Sequence, residues 1–368
     1  MTLELADIFR RYGSTYRQKY ASRMPGNHFK TMRAVEQCRT PVLGGQVYRC
    51  PQCEQLQYSY HSCRNRHCPK CQNENAQVWL EKQQDLLLPV PYFLLTFTLP
   101  HAFHEVARSH QSLLYDLLFK SSAAATQQLA HDPRWIGGQI GMVGVLHTWG
   151  RNLAYHPHIH YLVPAGAWSE TQQRWLPSRY NFLLPVRALS RLFRGKLQQA
   201  LRETNCYARI PTTVWQQDWV VHCEGVGSGL NALKYLAPYI FRVALSNNRL
   251  LQLKNDRVTF RYRDTETAAE KRCSLGAHEF IHRFLQHVLP KHFVKVRYYG
   301  LFAPTRRTRL NTLRNSLLLL ADPATPPADS TAMSSGLPVG QPHSIPCPRC
   351  GQPMLFLHSL PLLPCRSP

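Results

Sequence analysis

Three histidines alternate along Tyr155-His156-Pro157-His158-Ile159-His160-Tyr161, and this pattern carries the clearest chemistry in the chain. On a strand, alternate residues share a face, so His158 and His160 point one way and Ile159 the other. Two imidazoles on one strand face are adjacent ligands for a divalent ion. His156 could join them, although Pro157 perturbs the start of the strand. His147 in the preceding strand, or His222, could supply a further ligand. The second chemical pair is Tyr235 and Tyr239 in Tyr-Leu-Ala-Pro-Tyr. Positions four apart lie on one helix face, so both hydroxyls can approach one site. Tyrosines at this spacing are usually packing residues, and it is their setting that adds weight. Lys234 and Arg242 flank them, a glycine-rich turn at Gly225–Gly229 precedes them, and Pro238 between them implies a kink or a helix start.

Twelve cysteines define the other chemistry. Cys50-Pro-Gln-Cys53 and Cys68-Pro-Lys-Cys71 are two CxxC pairs with fourteen residues between them. Each such turn aims two thiolates at one point, and two turns complete a tetrahedron around Zn2+. The expectation is one zinc held by Cys50, Cys53, Cys68 and Cys71. Cys63 and His67 could substitute for a ligand, and Cys38 lies upstream, but loop or core filling is the plainer reading of all three. Arg64, Arg66 and Lys70 crowd the second turn and suit phosphate contact, the alternative being a solvated face. Further on, Cys347-Pro-Arg-Cys350-Gly351 is another knuckle. Cys365 could add a third thiolate and His358 a fourth ligand, which makes a candidate second zinc site.

The elements that must position these groups read as an α+β chain. Helical patterns cover 1–40, 76–88, 102–131, 187–203, 231–242 and 277–289. Strand patterns cover 92–99, between Pro91 and Pro100, then 140–148, 158–163 and 257–262. The strands at 140–148 and 158–163 are expected to be antiparallel neighbours. Residues 321–346 are rich in Pro, Ser and Ala and read as a flexible linker. The expected units are a helical and zinc-binding part at 1–90, a catalytic part at 91–320, the linker, and a small zinc knuckle at 347–368.

Lys and Arg number 44 against 21 Asp and Glu, a net charge of +23, which calls for a polyanionic partner such as nucleic acid. Arg306, Arg307 and Arg309, with Arg297 and Arg314 near them, form a candidate backbone-binding arm. Trp149, Tyr161, Tyr298, Tyr299 and Phe302 are candidate base-stacking groups, each more simply read as core. No run approaches the roughly 18 apolar residues of a spanning helix, and the first residues carry acids and no apolar signal core. A cytoplasmic location without membrane contact is therefore expected, where thiols stay reduced and metal explains cysteines better than disulfides. No GxxxxGK[ST] run suggests an ATP-binding loop.

The segments CRTPVLGGQVYRC, SCRNRHCPKCQ, FLLTFTLPH, LHTWGRNLAYHPHIHYLVPAG, YLAPYIFRVALSNNRL, EFIHRFLQHVLP and VRYYGLFAP follow in this order. With them the sequence resembles the rolling-circle, two-tyrosine transposases of bacterial insertion sequences, members of the HUH (His-hydrophobic-His) endonuclease superfamily. The resemblance runs from about residue 5 to about residue 315. It implies a zinc-binding N-terminal domain and a catalytic domain with a central antiparallel sheet of ferredoxin-like (RRM-like) plan flanked by helices. It maps the HUH pair onto His158 and His160 and the tyrosine pair onto Tyr235 and Tyr239. It further implies structural Zn2+, catalytic Mg2+ or Mn2+, single-stranded DNA at element ends and target, host replication machinery, and a nucleoid-associated location in a bacterium. Pro238 departs from the basic residue expected between the tyrosines. Two alternatives are a plasmid replication initiator or relaxase with the same chemistry, and a zinc-ribbon DNA-end-binding protein without catalysis.

Overall fold

Short apolar runs rich in aromatic and β-branched residues build the central sheet. In the computed structural model, which describes residues 2–71, 73–231, 233–234, 244–264, 267–320 and 345–363, these runs form β3 (Pro91–Thr98), β4 (Gly141–Trp149) and β5 (Tyr155–Pro164). With β8 (Val221–Ser228) and β12 (Val296–Gly300) they make a five-stranded antiparallel sheet in the order β12-β4-β5-β3-β8. Helix α5 (Gln111–His131) connects β3 to β4, and α6 (Val186–Arg202) connects β5 to β8. The run β3-α5-β4-β5-α6-β8 with order β4-β5-β3-β8 is a split βαβ arrangement of ferredoxin-like plan, widened by β12. A short hairpin, β6 (Gly166–Ser169) with β7 (Arg174–Pro177), precedes α6.

The period-two alternation of the strands assigns the two faces of the sheet. Phe93, Leu95 and Phe97 of β3 with Ile159, Tyr161 and Val163 of β5 face α5 and α6, in one core with Leu114, Leu118 and Phe193. Burying such side chains contributes about 1.5–3 kcal/mol each. Gly144 on β4 faces this side, where a Cβ would lie 2.5 Å from the Tyr161 ring. Tyr161 is fully buried, its hydroxyl 2.8 Å from that of Ser122, so it is core and no stacking platform. Phe302 is likewise fully buried.

The opposite face is covered over only part of its length. Tyr92, Val143, Val145 and Leu162 pack there with Leu86, Leu88, Leu310 and Leu313, brought in by α3 (Asn73–Gln84) and α8 (Arg307–Leu320) and the turns beside them. Leu233 joins this cluster, so the helix that opens at 229 lies on the same face. Gly229 permits that approach, because a Cβ there would be 2.7 Å from the Tyr92 ring. The glycines at 225 and 227, expected in a turn, lie within β8 instead.

Helices α1 (Leu5–Tyr20) and α2 (Gly26–Gln37) do not close a core of their own. They pack with β9 (Leu250–Lys254), β10 (Arg257–Arg263) and α7 (Ala277–Leu285), and Phe9 meets Phe284 edge to face at 5.6 Å. Strand β11 (Glu270–Gly276) completes the order β11-β10-β9. Residues 3–38 and Cys63, Cys68 and Cys71 therefore share a core with 244–288, whereas Leu86 and Leu88 pack on the central sheet. A third small sheet, β13-β1-β2, joins β1 (Gly45–Arg49) and β2 (Leu56–Tyr60) to β13 (Leu355–Leu360). The expected separate knuckle at 347–368 is thus an added strand of the N-terminal ribbon. Most of the expected linker lies outside the described residues. Among the described residues no helix is long and apolar enough to cross a membrane.

Candidate active site and metal centres

The histidines lie on this same face of the sheet, beyond the apolar cluster. Val145, Leu162 and Tyr92 mark this face, and on it, further along the same strands, stand His147, His158, His160 and Thr96. His147 on β4 pairs directly with His158 on β5, and their ring centroids lie 5.1 Å apart. The ligand nitrogens of His147, His158 and His160 all lie within 4.8 Å of one another. His147 is thus the third imidazole of the set. His156 is not part of it. Its ring is 5.1 Å from that of His158 and 6.3 Å from that of His104, on the rim. His222 pairs with Thr96 on the far side of β3, on the same face but outside the cluster.

Hydrogen bonds orient the rings. His158 donates from Nδ1 to the His156 carbonyl at 2.7 Å, which leaves its Nε2 lone pair free for a ligand role. His160 Nδ1 lies 2.9 Å from the Thr96 hydroxyl, a contact that fixes the orientation of the ring. Burial pushes these rings down, His158 to about 3 with His160 adding to the effect, and His160 to about 4. At neutral pH both are uncharged and able to give lone pairs. Three nitrogen donors suit Mn2+ or another transition ion better than Mg2+, which prefers oxygen.

The cysteines group differently from the expected set. Cys38, Cys63, Cys68 and Cys71 form one cluster, and Cys50, Cys53, Cys347 and Cys350 form another. In the first, Cys71 Sγ lies 3.5 Å from Cys38 and 3.6 Å from Cys63. Hydrogen bonds from Cys63 and Cys68 pull the Cys38 thiol down to about 2, while its bond with Cys38 pushes Cys63 up to about 12. The expectation of one ion at Cys50, Cys53, Cys68 and Cys71 therefore fails. Hairpin β1-β2 carries the Cys50 knuckle away, and the end of α2 brings Cys38 in. His67 is no substitute ligand, because it accepts the Leu289 N–H at 3.3 Å. His358 pairs across from Val47 on β13, outside the cluster. Cys365 lies outside the described residues.

Several expected DNA contacts are already committed. Arg66 donates to the carbonyls of Phe293 at 2.8 Å and Pro290 at 2.7 Å. Lys70 pairs with Glu4 at 2.6 Å. Arg309 pairs with Glu170, as does Arg306 at 3.8 Å, and Arg307 lies over the Tyr298 ring at 5.9 Å. Arg64 and Lys234 are exposed. Tyr235, Pro238, Tyr239 and Arg242 lie outside the described residues. A cavity of about 700 Å³ adjoins the histidine rim, between α7, the α1–α2 connection and the segment after β3. Arg23, Arg108, Arg283, His28, His101 and His104 line it, and the Arg108 guanidinium sits 5.4 Å from the Tyr155 ring centre. Its cations come from three distant stretches, so no local pattern announces them.

Residues 141–309 match the family described as "Putative transposase", and residues 8–99 match the "Transposase zinc-binding domain". The chain is 40% identical over 341 residues to "Putative transposase y4qJ" of Sinorhizobium fredii, spanning 87% of this chain and 85% of that protein. It is 28% identical over 291 residues to the "Transposase for insertion sequence element IS801" of Pseudomonas savastanoi pv. phaseolicola, spanning 74% and 70%. No solved structure matches the chain. Two family matches in order along the chain, and relatives alike over most of their length, agree with the sheet and the cysteine clusters: the chain belongs to the IS91-type family of insertion-sequence transposases, with the family's zinc-binding domain toward its N-terminal end.

Proposed function

We propose that the protein cuts and rejoins one strand of DNA through a tyrosine ester and so moves an insertion sequence by a rolling-circle-like route. The observation that carries this reading is the convergence of His147, His158 and His160 on one sheet face. Leu233, two residues before Tyr235 in the chain, packs beside Val143 and Val145 on that same face. A divalent ion held by the three imidazoles would polarise the scissile phosphate and stabilise charge on the departing oxygen. His158 and His160 stay neutral, so each can offer a ring nitrogen to a shared ion. A tyrosine oxygen attacks phosphorus, the bond to the 3′ oxygen breaks, and a 5′-phosphotyrosine forms while the 3′ oxygen leaves as a hydroxyl. The phosphodiester energy stays in the tyrosine ester, so rejoining by a second 3′-hydroxyl needs no ATP. Two tyrosines allow one DNA end to be held while another is attacked.

The cavity lined by Arg23 and Arg108, where Arg283 is paired with Glu279 at 2.7 Å, supports a single strand laid beside the rim. In this reading the Cys38, Cys63, Cys68 and Cys71 cluster holds a structural Zn2+ that ties α2 to the loop ahead of α3. The test is nicking of labelled element-end oligonucleotides, single-stranded and duplex, with Mn2+, with Mg2+ and with chelator. Cutting of the single strand only, dependent on metal and with Mn2+ the better ion, is expected. Arg108→Glu should raise KM and flatten the salt dependence of binding by about one ion, with the rate at saturation little changed. Binding without cutting under every condition would leave a non-catalytic end-binding protein instead.

A further inference from the structure

Cys50-Pro-Gln-Cys53 and Cys347-Pro-Arg-Cys350 are one knuckle written twice, far apart in the chain. Their backbones match bond for bond. The Cys50 N–H donates to the Gln55 carbonyl at 3.0 Å, and the Glu54 N–H donates to the Cys50 carbonyl at 3.0 Å. The Cys347 N–H donates to the Gln352 carbonyl at 2.8 Å, and the Gly351 N–H donates to the Cys347 carbonyl at 2.9 Å. The residue after each second cysteine is left-handed, Glu54 at φ 58° and Gly351 at φ 77°. A strand follows each knuckle, β2 after the first and β13 after the second, and both pair with β1. The sulfurs then interleave: Cys50 to Cys350 is 3.4 Å, Cys53 to Cys347 3.5 Å and Cys53 to Cys350 3.6 Å. Zinc–sulfur bonds of about 2.3 Å in a tetrahedron set the sulfurs about 3.8 Å apart, and a disulfide would need about 2.05 Å.

We propose that Cys50, Cys53, Cys347 and Cys350 hold one structural Zn2+ shared by two distant parts of the chain, separate from the ion of the Cys38 cluster. The zinc-binding domain matched at 8–99 contains only half of this ligand set. The ion fastens the segment after 344 to the N-terminal ribbon and keeps β13 on β1. Losing it frees both knuckles together. The site rests on geometry alone and stands or falls independently of the strand-transfer chemistry.

Zinc per chain, measured by elemental analysis of the full-length protein, tests this directly. Cys347→Ser with Cys350→Ser should lose one ion, Cys50→Ser with Cys53→Ser should lose one, and all four changes together should still lose only one. Cys365→Ser should lose none. The Cys38 cluster and the histidines are unchanged throughout, so whatever they bind cancels in the comparison. A tail double variant with the wild-type zinc content, or a quadruple variant lacking two ions, overturns the proposal. A second measurement needs no variant. When wild-type protein is treated with chelator and a thiol reagent, Cys50, Cys53, Cys347 and Cys350 should become modified with one common rate. Faster modification of Cys347 and Cys350 than of Cys50 and Cys53 would equally overturn it.

Discussion

Thr96→Val removes a hydroxyl that the reaction need not touch, and so isolates the orientation of one imidazole. Thr96 on β3 pairs with His160 on β5, and its oxygen is 2.9 Å from Nδ1. When Nε2 binds a cation, the Nδ1–H becomes a charge-assisted donor, and such a bond contributes about 1.5–3 kcal/mol. Thr96 is half-buried, so water replaces part of this and the lower half of the range applies. A loss near 1.5–2 kcal/mol corresponds to roughly 10- to 30-fold weaker metal binding, within the roughly 10- to 100-fold usual for groups that support metal ligands. The assay is single-strand cleavage against Mn2+ concentration. The Mn2+ concentration for half-maximal rate should rise by that factor, the rate at saturating Mn2+ should stay near wild type, and Thr96→Ser should restore the wild-type curve. An unchanged Mn2+ dependence in Thr96→Val would refute the reasoning. So would a lower saturating rate with no shift in Mn2+ dependence, which would mark Thr96 as structural only.

Other expectations follow from the same geometry. His147→Ala should cost metal-dependent cleavage more than the roughly 100-fold upper end of a supporting residue, as His158→Ala and His160→Ala should, whereas His156→Ala and His222→Ala should stay within about 10-fold; cleavage rates at fixed Mn2+ check this. Phe9→Ala should lower stability by about 3–5 kcal/mol and speed amide exchange in α7 as well as α1, because Phe9 is fully buried against Phe284; unchanged exchange in α7 would mean separate cores. His287 is buried and hydrogen-bonded to Thr148 and the Leu153 carbonyl, and burial pushes it down to about 4. The unfolded chain takes up this proton below about 6.5 while the native chain resists, so stability is complete above that pH and falls by up to about 3 kcal/mol toward pH 4. Thermal unfolding from pH 7 to 4 should show a shallower decline in His287→Gln than in wild type.

What could be read in advance divides along a physical line. Strands β3, β4 and β5 are legible as short apolar runs rich in aromatic and β-branched residues, and the period of two along β5 puts His158 and His160 on one face as expected. His147 is a different matter. It becomes the partner of His158 only through the register of β4 on β5, which no local pattern encodes. The cysteines mislead for a related reason. Neighbouring CxxC turns look like partners, yet a hairpin separates them, and each knuckle finds its complement elsewhere: Cys68 and Cys71 with Cys38 and Cys63, Cys50 and Cys53 with Cys347 and Cys350. The signal for the second pairing was present in the shared Cys-Pro-x-Cys followed by an extended stretch. Basic residues show the limit of counting charges. Arg66 satisfies two carbonyls and Arg309 pairs with Glu170, while Arg108, which lines the cavity, sits in an unremarkable helix, α4 (His104–Ser109).

The central claim, a tyrosine ester formed beside the three imidazoles, is tested most directly by trapping it. Full-length protein is incubated with Mn2+ and single-stranded oligonucleotides carrying the element ends, labelled on the 3′ side of the cut, and then denatured. The account predicts a labelled protein–DNA adduct that survives denaturant and disappears in the Tyr235→Phe, Tyr239→Phe double variant and in His158→Ala. No adduct with wild type on any element end, or an adduct that persists in the double tyrosine variant, would contradict it.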